Sequence, residues 1–546
     1  MSKLSPFNGQ LGEKNAAHLL RRCTFSPNMS EVKYFSKISA SEAFRKLQEN
    51  QIPLSPPRDW KTGRAWVHPK PGRNNTHNRH LTTQVKSWWM QNILKKSSSL
   101  TDKMAFFWHT VFVSRQEKVD DATALYYQLK LFYQFALGNV KVLARQICTD
   151  NAMLIFLDNI YNTKAHINEN LAREFLELFT IGKGPMKGSG NYTTYTESDI
   201  RELARILTGI TVDPDYRTDN ESGIATGKIK VDDLGRAFEH DPGVKQFSSA
   251  FQNQKIYPRK KIDGLANRSS VVQEVNEMID MIFRQKETAV NICKKLYRYF
   301  INSQQTESSV INEMAEVLYQ NNYEILPVLE KLFTSDFFFD RGVNPKKQII
   351  GGKIKSPLEL TAGTIRMFNL KIPAGKPDLF TFYDSTFEYG ILEIMRFQGM
   401  DLYEPDSTAG YQAYYQEPAY DKNWISTESL IKRYQLGERL IRGRSFSGRD
   451  LNFKLNAAKF IKQNHNFGDP SDPQKLVEDL LQFMFPVEVD QPRIHYFEEL
   501  LLDGLEKYSW KMEWKNYIRE GENPGLERQL NHLVKSIIES PEYQLN

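Results

Sequence analysis

The stretch Thr101–Val113, TDKMAFFWHTVFV, is apolar nearly all the way round when wound as a helix, so it has no broad polar face to leave in water. Such a helix is buried on most sides, and the rest of the chain must supply the elements that cover it. Those elements read as helices. Apolar residues recur at three-to-four spacing in AAHLLRRC and SASEAFRKLQEN, in DATALYYQLKLFYQFAL and in VKVLARQICTDNAMLIFLDN, then over about 269–340 and from about 425 onward. Residues 210–262 carry short β-leaning pieces among Asp, Gly and Pro, and 370–425 reads as irregular. The expectation is a mainly α, large multi-helix globular fold with small irregular or β-hairpin insertions and no solenoid repeat.

At 546 residues the chain exceeds one ordinary core. The pattern divides it into N-terminal helices over 1–56, a basic segment and helical core over 57–262, a helical continuation over 263–345, and a C-terminal helical region over 346–546 that contains the irregular insertion 370–425. With 40% apolar and 25% charged residues the composition is globular, not disordered. Cys23, Cys148 and Cys293 are widely spaced and odd in number, which gives neither a disulfide framework nor a thiolate zinc site. No run of about eighteen apolar residues occurs, and MSKLSPFNGQLGEKNAAHLL lacks the pattern of a secretory signal. The expected compartment is cytoplasmic; an exported form with its signal already removed would look the same.

The net charge of +6 is local in origin. Residues 61–100 hold eight Lys or Arg and no Asp or Glu, leaving 6 − 8 = −2 for the remainder. Trp60, Trp66, Trp88 and Trp89 lie among these cations. Cations interleaved with aromatics can hold nucleic acid or anionic sugars, but a basic surface whose tryptophans pack inward explains the pattern as well, and nucleic acid is not the expected partner.

Polar residues gather between 100 and 250. A helix is predicted from Asn168 to Gly182, with Asn at its start and Gly at its end. Asn170, Arg173, Glu174 and Glu177 share one of its faces, at i, i+3, i+4 and i+7. The next helix opens on Thr196 and Asp199 in capping-box spacing, ends at Gly209, and carries Glu202 and Arg205 three apart. His109 lies inside the apolar helix, and His240 and Asp241 precede Lys245 in a loop-like stretch. Each feature has a bland counterpart: a solvated face with an Arg173–Glu177 pair, a hydrogen-bonded core histidine, or a buried charged network whose role is architectural. HExxH and the Glu-x-x-His pairs of di-iron bundles are missing, so neither a metal nor a cofactor is specified. The run Gly182–Gly190 lacks the Gly-Lys-Ser/Thr of a phosphate loop and reads as a flexible loop.

Blocks spread over most of the chain resemble the bacterial family catalogued as domain of unknown function 1800. They are HLLRRCTFSP (18–27), KMAFFWH (103–109), INENLAREFLELFTIG (167–182), YTESDIRELARILTG (195–209), FEHDPGVKQF (238–247), KSPLEL (355–360), GMDLYEPDSTAGY (399–411) and SPEYQ (540–544). Three positions depart from the family pattern: Ser26 replaces a usual glycine, Glu404 a proline and Tyr411 a tryptophan. The resemblance brings no reaction with it. It implies a partner of the alkaline-phosphatase and sulfatase-like superfamily, beside which members are often encoded.

Two functions follow as expectations. In the first, an enzyme performs hydrolysis or group transfer on an anionic substrate. His109, Glu174, Glu177, His240 and Asp241 supply acid–base chemistry, while Asn168, Asn170, Arg173, Glu202, Arg205 and Lys245 hold the substrate. In the second, a non-catalytic binding or scaffold protein uses the charged helices as a structural network and the basic, aromatic stretch for an acidic partner. An enzyme requires a pocket where these side chains converge, and a scaffold requires a paired network with no space beside it.

Overall fold

The computed structural model describes residues 2–49, 55–59, 63, 65, 67, 75–95, 99–217, 223–259, 261–341, 348–373 and 379–546. Helices dominate it, and the strands form four two-stranded antiparallel sheets. Three of these sheets lie between Ile210 and Ala266, where the sequence leans toward strand.

Helix Leu100–Val111 buries every residue except Thr110, as its all-round apolar pattern requires. It packs against helix Ala122–Gln134. Phe106, Phe107 and Trp108 are each about 1% exposed, and burying side chains of this size stabilises by roughly 1.5–3 kcal/mol each. The buried apolar side chains form one connected core that includes residues from Leu4 to Tyr543. Local signals set the helix starts. Thr196 and Asp199 close a capping box on helix Glu197–Ile206, and Ser356 with Glu359 does the same for helix Pro357–Met367, whose first residue is the proline that favours that position.

Four elements differ from the sequence pattern. The basic stretch, read only for its charge and tryptophans, carries a helix over Asn75–Lys95. The helix expected from Asn168 begins at Asn170 and widens into a π-helical turn over Phe175–Phe179, where the Thr180 hydroxyl bonds back to the Phe175 carbonyl at 2.6 Å. The glycine-rich run after Gly182 contains a small hairpin, Met186–Gly188 against Asn191–Tyr192. Within 370–425, residues 379–397 are helical, with a π-helical segment over Phe382–Ile391. FYDSTFEYGI is rich in aromatics, Ser, Thr and Gly, which rank low as helix formers, so tertiary packing and not propensity makes this helix; it packs against helix Asn75–Lys95.

Of the basic stretch, Trp60, Lys61, Arg64, Trp66, Lys70, Arg73 and the side chain of Arg79 lie outside the described residues. Trp88 and Trp89 are buried, and Lys86 pairs with Asp401 at 3.0 Å. Among the described residues, no helix is long and apolar enough to cross a membrane.

Candidate functional site

The polar residues singled out between 100 and 250 fall into three separate settings. The first lies between helix Asn170–Glu174 with its π-helical continuation and helix Glu197–Ile206, which pack together. Arg173 grips Glu197 as a fork, at 2.8 Å from Nη1 and 2.7 Å from Nη2, and reaches Glu169 at 3.2 Å. The Glu197 bonds hold the guanidinium even more firmly charged than usual. Glu177 pairs with Lys183 at 2.7 Å. Glu174 is raised above the usual carboxylate range by burial and then by the Glu177 charge, with Thr408 hydrogen-bonded to it. Asn168 and Asn170 serve the helix start instead: Asn168 accepts the Asn170 amide, and the Asn170 side chain donates to Asp158 at 3.3 Å.

The second setting is at the other end of helix Glu197–Ile206. Arg205 donates to both oxygens of Asp241, at 2.7 and 3.2 Å, and to Glu202 at 2.6 Å. Burial alone would raise the Asp241 carboxyl, but the Arg205 fork and the Gly243 amide hold it below its usual range. A Cβ at Gly243 would lie 2.6 Å from Arg205 Nη2, so a larger residue there would displace the guanidinium. Beneath this fork, His240, Lys245 and Glu274 are shut away from water. The Lys245 ammonium donates to Glu274 Oε2 at 2.5 Å, to the Asp241 carbonyl at 2.5 Å and to His240 Nε2 at 3.3 Å. His240 Nδ1 lies 3.0 Å from the Thr208 carbonyl, and its Nε2 lies 3.3 Å from both the Lys245 ammonium and Glu274 Oε1. The ammonium thus has three partners within hydrogen-bond reach. Burial lowers the Lys245 ammonium below its usual range, against the pull of the Glu274 carboxylate.

The third setting is His109 alone. Its ring is enclosed by Trp89, Phe106, Phe132, Tyr403 and Tyr411, at centroid distances of 4.6 to 6.3 Å. Neither ring nitrogen has a hydrogen-bond partner among the described residues, and burial brings its pKa down to about 3, so it is neutral. None of the charged candidates reaches it. Among the described residues, no group of three or more His, Cys, Asp or Glu side chains is placed to hold a metal ion.

Space opens on another part of the His109 helix. A cavity lies where Phe107, Thr110 and Val111 face Leu178 of the π-helical turn, helix Lys286–Phe300, Glu359 and the segment around 409–424. About 50 Å³ of it is open to the centres of water molecules, within a recess of about 690 Å³ that includes solvent at the mouth. Its cations are Lys295, Arg298 and Lys353, and its acids are Glu359 and Asp421. The acids are committed elsewhere. Glu359 pairs with buried Lys103 at 2.5 Å; burial would raise it, but Lys103 and Lys353 bring it down to about 2. Asp421 accepts from Ser303, Gln304 and the Ile354 amide. Lys353 donates to the Tyr299 carbonyl.

Arg298 bonds Glu417 at 2.8 Å, yet its Nε is buried and unpartnered. Half-buried Lys295 has no hydrogen bond or ion pair with any described residue. Burial, followed by the charges of Arg298 and Lys294, lowers the Lys295 ammonium to about 8.

A family profile described as "Protein of unknown function (DUF1800)" matches residues 18–545, nearly the whole chain. The chain belongs to the DUF1800 family. No curated protein and no solved structure matches it significantly.

Several of the blocks that carry the DUF1800 resemblance, distant in sequence, meet behind this cavity. Lys103 of KMAFFWH pairs with Glu359 of KSPLEL. Arg22 of HLLRRCTFSP donates to the carbonyls of Ile349 and Asn546, and Lys355 of KSPLEL donates to the Tyr543 carbonyl in SPEYQ. Sequence reasoning passed over the cavity cations and Glu274. Nothing in their spacing sets Lys294, Lys295 and Arg298 apart on helix Lys286–Phe300, or Glu274 on helix Arg268–Phe283. Glu359 was open to discovery, because it occupies the capping-box position after Ser356.

Proposed function

We propose that this DUF1800 protein binds a small anionic molecule in the Lys295–Arg298–Lys353 cavity and acts on it there, as an enzyme with an anionic substrate. The observation that carries this reading is Lys295, a cation beside two other cations that makes no ion pair or hydrogen bond with any described residue. Leaving a charge out of water without a partner is costly, and an anion in the cavity would offset that cost. Arg298 lines the same space, with its Nη2 bonded to Glu417.

The charges that the sequence singled out support a second reading for their own region. Arg173–Glu197, Arg205–Asp241 and His240–Lys245–Glu274 are joined among themselves, which favours an architectural network there. A partner of the alkaline-phosphatase and sulfatase-like superfamily suits the proposal, since such chemistry releases small anions. We also propose a cytoplasmic location, supported by three free, buried cysteines.

Thermal unfolding of the intact protein with inorganic phosphate, sulfate and acetate tests the reading. One of these ions should raise Tm at constant ionic strength and lose that effect in Arg298→Gln. Identical responses of the wild type and Arg298→Gln to all three would overturn it.

A further inference from the structure

Lys295 poses a choice that general electrostatics can narrow. A half-buried ammonium beside Lys294 and Arg298 is held in an unfavourable field, and the free amine relieves it. An amine desolvated next to another cation is the form in which lysine attacks a carbonyl carbon. The other lysine of the cavity is differently placed, because the Lys353 ammonium is tied to the Tyr299 carbonyl and lies 5.3 Å from the centre of the Tyr299 ring. Arg298, one helical turn from Lys295 on the same face, lines the same cavity. The space is small and suits a compact molecule.

We infer that Lys295 is a covalent nucleophile that forms a Schiff base with a small oxo-carboxylate, whose carboxylate is held by Arg298. The inference rests on the proposed anion site and names its substrate class. The Lys295 Nζ lone pair forms a bond to the carbonyl carbon, and the carbonyl π electrons move to oxygen, which takes up a proton while the nitrogen gives one up, to give a neutral carbinolamine. A second proton on that oxygen lets it leave as water, as the nitrogen lone pair closes the C=N bond and leaves a protonated imine. Nothing is oxidised or reduced, and water is the only by-product. The cationic imine then withdraws electrons from the adjacent carbon, the activation that lysine-dependent carbon–carbon bond cleavage or proton exchange requires.

The experiment treats the intact protein with glyoxylate and sodium cyanoborohydride near pH 7, where hydride reduces the imine to a stable secondary amine, and maps the label by peptide mass spectrometry. Lys295 should be labelled at least about tenfold faster than exposed lysines, since its larger free-amine fraction outweighs its weaker nucleophilicity. Lys295→Arg, which keeps the charge without the nucleophile, should remove that label and keep the folded state by circular dichroism. Arg298→Gln should slow labelling at Lys295 and leave exposed lysines unchanged. Preferential labelling of Lys353, or labelling spread evenly over surface lysines, would overturn the inference. Anion-dependent stabilisation in the Tm assay without Lys295 labelling would sink the Schiff base and leave the anion site standing; loss of both would remove both.

Discussion

Lys245 is wholly and Lys295 partly withdrawn from bulk water, yet the first has three partners within hydrogen-bond reach of its ammonium and the second has none among the described residues. Around Lys245 the chain has brought a carboxylate, a carbonyl and an imidazole into hydrogen-bond reach, and no donor remains for a ligand. Around Lys295 it has brought two more cations and a cavity. A buried charge with complete partners reports on architecture, and one without them reports on what must arrive from outside. The sequence gives both lysines the same letter, so only their partners separate the two roles.

The largest expected effect breaks the closed cluster. Glu274→Gln removes the counter-charge of Lys245 and should cost about 3–5 kcal/mol in urea unfolding, with anion-dependent stabilisation unchanged in the protein that remains folded. A loss under about 1 kcal/mol would mean that Lys245 is not held as a charge, and the contrast would collapse.

Lys295→Met should act in the opposite direction. In anion-free buffer near neutral pH it should stabilise by about 1–3 kcal/mol, because it deletes an uncompensated charge. The folded pKa of Lys295, about 8, lies below its unfolded value, so the folded state binds fewer protons between the two. The wild type therefore gains stability as pH rises from about 8 toward the ordinary lysine pKa, and loses it as pH falls back through 8. The advantage of Lys295→Met should be full below pH 8 and shrink above it. Denaturant midpoints measured across that range check both statements; a variant less stable than wild type at pH 7 would contradict them.

The smallest effect concerns His109. Its ring nitrogens contribute no hydrogen bonds, so His109→Leu should change stability by less than about 1 kcal/mol in either direction. A loss of several kcal/mol would show a polar role that the aromatic enclosure hides.

Helix positions were legible because burial imposes a period of 3.6 residues, and the Thr196–Asp199 capping box fixed its helix start to the residue. The all-round apolar pattern also put helix Leu100–Val111 in the core. The π-helical segment Phe382–Ile391 was not legible, since its residues favour other conformations and only the neighbouring helix holds them. In the polar region the sequence found Arg173, Arg205, Asp241 and Lys245 but not their partners Glu197 and Glu274. Pairings across 24 and 29 residues depend on how helices dock, which periodicity does not encode. Lys295 was illegible for the same reason: a helix face looks alike in sequence whether it meets water or a cavity wall.

The bonds of Arg22 have a consequence for the order in which the fold can form. One of its carbonyl acceptors belongs to Asn546, 524 positions along the chain, and Lys355 and Arg433 likewise lean on Tyr543 and Gln544. During synthesis from the amino end, the helix Gly12–Cys23 is made long before these acceptors exist, and its arginines have to stay hydrated until they emerge. Closing contacts of such separation carries a large loop-entropy cost and slows the final step, leaving the apolar neighbours of Arg22 uncovered meanwhile. This polypeptide is thus expected to assemble late, to be prone to aggregation while nascent, and to depend on chaperones until residues 543–546 dock.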